Sequence, residues 1–194
     1  MAFSLFKKKE PPGAELIREL ANALAKADSA PPPEFIAALP LAEGQTPDGA
    51  LAEWYALIVA ATTYALWASL GSKEKVFPIL DVYQPSLVGS LTYRCKDAFL
   101  KIATPREESY IASIRDALKG SDSRQLMRLS GAMAARITGH YDEKIGSEGL
   151  QPGCLDIAVL VGLWKMVSDQ IITTAKLIEN LQKEVPGIFT DPPR

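Results

Sequence analysis

His140 is the one histidine of the chain, in the run Gly139-His140-Tyr141-Asp142-Glu143-Lys144. An imidazole beside carboxylates could work as an acid/base pair. On a helix, however, adjacent residues point apart, so Asp142 and Glu143 need not meet the ring. One histidine supplies neither a His-rich metal site nor the two Glu-x-x-His motifs of a di-iron bundle. Cys95 and Cys154 form neither a C-x-x-C pair nor a disulfide scaffold, and both read as small buried hydrophobes.

Nucleophile and cofactor signatures are equally sparse. The chain has no Gly-x-Ser-x-Gly elbow, Walker loop or dinucleotide fingerprint. The stretch Gly146-Ser147-Glu148-Gly149 is glycine-rich but lacks the lysine and the strand that phosphate binding needs. Glu107-Glu108 reads as charge compensation for the first turn of a helix. The sequence therefore leans away from an enzyme and implies no cofactor and no metal.

Three groups of residues are candidates for binding. Trp54, Tyr55, Tyr64, Trp67 and Trp164 could line a pocket for an apolar or amphipathic small molecule. Arg124, Arg128, Arg136 and His140 could hold an anion, although the arginines fall beside or opposite an apolar stripe, where solvated charges belong. Phe3, Leu5 and Phe6 precede Lys7, Lys8 and Lys9, which could touch an anionic membrane surface weakly and reversibly. A net charge of -2 gives no global reason to bind nucleic acid.

These residues must be carried by helices. The first is expected over about 14–27, with Leu16, Ile17, Leu20 and Leu24 on one stripe, stopped by Asp28 and the Pro31-Pro32-Pro33 run. A short helix could follow over about 33–39. Thr46-Pro47-Asp48 combines an N-cap hydroxyl, a first-position proline and a carboxylate at the positive helix end. It opens a helix over about 47–70 that carries no charge from Trp54 to Leu70 and ends at Gly71. With no polar stripe, that helix must be enclosed by protein or by lipid. Its length touches the lower limit of a membrane span, but it is alanine-rich, and the other helices need a common centre.

Residues 76–84, interrupted by Pro78, read as a connector or a short helical turn. A helix over about 85–102 and another opened by the capping box Thr104-Pro105-Arg106-Glu107 are expected next, the second ending at Gly120. A helix over about 123–138 follows, with the small residues Ser130, Gly131, Ala132, Ala134 and Ala135. After a Gly-rich stretch over 139–153, a long helix covers about 154–184.

The expected fold is an all-α, single-domain bundle of six to seven helices over residues 14–185, around the central apolar helix and the long C-terminal one. Tails are expected over 1–13 and 186–194. The start of the chain lacks the pattern of a secretory signal, which points to the cytoplasm. With few catalytic features and much apolar helix surface, the expected function is a non-enzymatic interaction or scaffold role, through a protein partner or self-association. A small-molecule-binding protein and a peripheral membrane protein are the alternatives.

Overall fold

The computed structural model describes residues 13–119, 123–140 and 157–189. Among them are seven helices and no strand: α1 (Ala14–Asp28), α2 (Glu34–Ala37), α3 (Pro47–Leu70), α4 (Lys73–Ser90), α5 (Tyr93–Lys119), α6 (Ser123–Thr138) and α7 (Ile157–Glu184). Outside the described residues lie the expected N-terminal tail up to Pro12, with Phe3, Leu5, Phe6, Lys7, Lys8 and Lys9, and the Gly-rich stretch after His140, with Cys154 beyond it.

α3 is the axis of the bundle. The Thr46 hydroxyl accepts from the Gly49 N–H at 3.0 Å, with Pro47 in the first turn. At the other end Gly71, at φ 72°, donates its N–H to the Trp67 carbonyl. Between these caps every residue from Ala52 to Thr63 is buried. α5 and α7 pack most extensively against α3, α6 adds a smaller contact, and α1 packs chiefly on α4. This helix, uncharged from Trp54 to Leu70, is thus enclosed by its own neighbours: 78% of its most apolar stretch is buried inside the protein.

Two boundaries differ from those the sequence suggests. Residues 76–84 are helical, but as the middle of the long α4, which runs through Pro78 and Pro85, rather than a connector or a short helical turn. Each proline removes one backbone hydrogen bond. Val76, Ile79, Tyr83 and Leu87 nevertheless form one buried stripe across both, and its packing holds the helix together. Likewise Thr104-Pro105 does not open a helix. α5 continues through it, because Cys95, Phe99, Tyr110, Ile114 and Ala117 make a single buried face on either side. The break falls instead at 91–92, where Leu91 is extended, at ψ 148°.

The C-terminal end also packs further than expected. Ile188 and Phe189 are buried, and the Ile188 side chain lies against Gly13 at the start of α1.

The loop before α3 closes the end of α6. The Ala42 N–H donates to the Thr138 carbonyl at 2.8 Å, and the Gln45 side-chain amide donates to the Ile137 carbonyl at 3.0 Å. The His140 and Gly139 N–H groups donate to the Ala135 and Arg136 carbonyls, a Schellman ending with Gly139 at φ 80°. A Cβ on Gly139 would lie 2.6 Å from the Gln45 Cβ. Gly139→Ala should therefore cost about 2–3 kcal/mol, from left-handed strain plus displacement of Gln45 from the carbonyls it caps. Urea unfolding of the variant reads this directly; a change within a few tenths of a kcal/mol refutes it.

Candidate functional site

Polar side chains enter the core at two places on α3, and neither is evident from the sequence. The first is built on Asp28, the last residue of α1 and almost fully buried. The Tyr83 hydroxyl of α4 donates to Oδ2 at 2.6 Å, and the Thr62 hydroxyl of α3 donates to the same oxygen at 2.7 Å. The Gln170 amide of α7 donates to Oδ1 at 2.7 Å and to the Thr62 oxygen at 2.9 Å. One carboxylate thus ties four helices together. Burial pushes the Asp28 carboxyl above its usual range, and the bonds from Tyr83, Thr62 and Gln170 offset this only in part. Burial first, then the Asp28 charge, pushes the Tyr83 phenol well up, so it remains a donor.

The second cluster joins α3, α5 and α6. Glu53 accepts from Arg106 Nε at 2.8 Å and from the Tyr110 hydroxyl at 2.9 Å. The Arg136 guanidinium stacks over the Tyr110 ring, 5.2 Å from its centroid, and donates to the Ser109 hydroxyl at 3.0 Å. Close by in sequence, the Thr63 hydroxyl donates to Glu107 Oε1 at 2.8 Å. Burial raises the Glu107 carboxyl, with Glu108 adding to the rise and the Thr63 bond opposing it. Glu107 is therefore not first-turn compensation, since it sits in the middle of α5 and binds the central helix.

The predicted site residues are distributed otherwise. Arg136 is not a solvated charge: it is buried, since its position on α6 faces Tyr110 of α5. The side chains of Arg124 and Arg128 lie outside the described part of α6. His140 is exposed, and its Nδ1 lies 3.0 Å from the Thr138 hydroxyl. Asp142 and Glu143 lie outside the described residues. Arg136 and His140 therefore face different surroundings, the one inside the bundle and the other at the end of α6.

The aromatic candidates belong to the packing. Trp54 and Tyr55 are buried, and Tyr64, Trp67 and Trp164 are partly buried against the same core. The Tyr55 hydroxyl donates to the Ser29 carbonyl at 3.3 Å, and Trp67 meets Phe77 edge-on, with centroids 6.0 Å apart. Cys95 is buried, and desolvation pushes its thiol up to about 11, which leaves it protonated and unreactive at neutral pH. Among the described residues no group of three His, Cys, Asp or Glu side chains is placed to hold a metal ion.

The outer side of α7 is the remaining feature. Leu163, Val167, Thr174 and Ile178 are buried against the bundle, but only 17% of the helix's most apolar stretch is buried. Ile157, Val161 and Ile172 are exposed at 67%, 54% and 49%. At 100° per residue they fall within about 60° of arc, in line with Ser168 and Ala175. Lys165 and Asp169 pair with each other beside this stripe. On the same helix, Gly162 lets the Phe35 ring of α2 approach closely: an added Cβ would lie 3.2 Å from it.

Comparison with protein-family models, with characterised proteins and with solved structures finds no match to this chain.

Proposed function

We propose that the protein is a non-enzymatic helical interaction module that docks a second copy of itself on the outer face of α7. One observation carries this reading: the exposed stripe of Ile157, Val161 and Ile172 on a helix whose other side is anchored in the bundle. Exposed apolar residues scattered singly are ordinary, but a row at helical spacing is the footprint of a partner helix.

A second copy suits the charges beside the row. In an antiparallel pair with its twofold axis at the level of Val167, Lys165 of each chain comes opposite Asp169 of the other. The pair already formed within each helix can thus be exchanged across the interface. The small Ser168 and Ala175 leave room for the large side chains of the other copy.

Sedimentation equilibrium over a concentration series tests the proposal. The wild type should pass from monomer to dimer, and Val161→Glu with Ile172→Glu should remain monomeric with its helical content unchanged. Lys165→Asp alone should weaken the dimer by bringing two carboxylates together, and Lys165→Asp with Asp169→Lys should restore it. A wild type that stays monomeric at every concentration overturns the proposal, as does a dimer that survives the double glutamate change. Association seen only with anionic lipid vesicles would overturn it in favour of a membrane-surface role.

A further inference from the structure

Asp28 stands apart from the other acidic groups of the bundle. It is 4% exposed, and the groups bonded to it are three neutral donors from three other helices. Among the described residues no Lys, Arg or His forms an ion pair with it, whereas the buried Glu53 has Arg106. It also closes the C-terminal turn of α1, where the helix's own carbonyls present partial negative charge. An ionised carboxylate there faces only dipoles, in a setting that gives back little of its lost hydration.

We propose that Asp28 is a proton-sensitive fastener: when it takes up a proton, α1 holds more firmly to α3, α4 and α7, and the bundle tightens as the medium becomes more acidic. Tyr83 of α4 is the titratable group in direct contact, and it stays a neutral phenol throughout. Thr62 of α3 and Gln170 of α7 do not titrate. Glu107 of α5 acts on Tyr83 at longer range, and Lys26 on α1 is exposed to solvent. A proton on Oδ1 finds an acceptor when the Gln170 amide turns over to present its oxygen; the Thr62 hydroxyl then turns to donate to that same oxygen, and Tyr83 keeps its bond to Oδ2.

The sign follows from linkage. The folded protein holds the Asp28 proton to higher pH than the unfolded chain, whose aspartates titrate near about 3.9. Stability is therefore gained as pH falls through the folded-state value, and the gain is complete below the unfolded one. This is opposite to the usual salt-bridged aspartate, which loses stability in acid.

The test compares Tm of the wild type and Asp28→Asn from pH 8 down to about pH 3, below the ordinary aspartate value. Asparagine keeps the shape and the hydrogen-bonding capacity but cannot ionise. The wild type should gain Tm relative to the variant as pH falls, because only the wild type takes up the extra proton. A difference that does not change with pH overturns the proposal. Should the variant not fold, carbon-13 NMR of the Asp28 carboxyl in the wild type gives the same answer. A midpoint above the ordinary aspartate value supports the proposal, and one at or below it overturns it.

Discussion

Asp28→Ala is expected to lower stability at neutral pH by about 3 kcal/mol, because it removes the acceptor of the buried Tyr83 and Thr62 hydroxyls and of one donor of the Gln170 amide. Each orphaned polar group costs about 1–3 kcal/mol, and removal of a poorly solvated charge returns part of that. For a chain of this size the loss corresponds to a drop of roughly 10 °C in Tm. Thr62 and Gln170 retain each other in the variant, which keeps the loss from being larger. Chemical denaturation followed by circular dichroism checks the figure. A loss below about 1 kcal/mol would show that Tyr83 and Gln170 find new partners and that the carboxylate does not hold the four helices.

Glu53→Ala is the second change with a large expected effect. It removes the acceptor of the Tyr110 hydroxyl and of Arg106 Nε, and Tyr110 is fully buried. Breaking such a pair from one side costs about 3–5 kcal/mol when both charges are buried. Arg106 is 23% exposed and can recover some hydration, so the lower end, about 3 kcal/mol, is expected. The physical cause is separable by a second substitution. Glu53→Ala combined with Arg106→Met removes both charges of the pair, and the double variant should be more stable than the sum of the single losses implies. Strict additivity in urea unfolding would show that Glu53 and Arg106 do not act as a pair.

The two clusters explain where a sequence reading falls short. Asp28 reads as a helix stop, but it lies four residues beyond Leu24 and so falls on the buried face of α1. Tyr83 sits on the Val76, Ile79, Leu87 stripe, and Gln170 lies three residues beyond Val167, toward the buried side of α7. A polar residue at an apolar position on each of these helices was the available signal. Which of them meet is a matter of how the helices stack, and that is not encoded in any one stripe. The same applies to Arg136. It lies at the edge of the apolar side of α6, where solvent and a neighbouring helix are equally compatible with its spacing, and the placement of Tyr110 decides between them.

The α3 helix shows the opposite case. Its caps, its length from Pro47 to Leu70 and the burial of every side from Ala52 to Thr63 are legible in the sequence, because N-cap chemistry is local and absence of a polar stripe leaves no side for water. Local rules fail at Pro78, Pro85 and Pro105. There the lost hydrogen bond is a local cost, and the continuous apolar face along α4 and α5 is a tertiary gain that exceeds it.

The sequence by itself determined that this chain is a helical bundle with one enclosed helix, since the period and capping of apolar segments are properties of neighbouring residues. Tertiary structure alone decided which polar groups share the core, that α7 keeps an apolar row facing outward, and that Asp28 has dipoles for partners with no counter-charge among the described residues. Those outcomes depend on distances between residues far apart in the chain, and such distances exist only once the helices have packed.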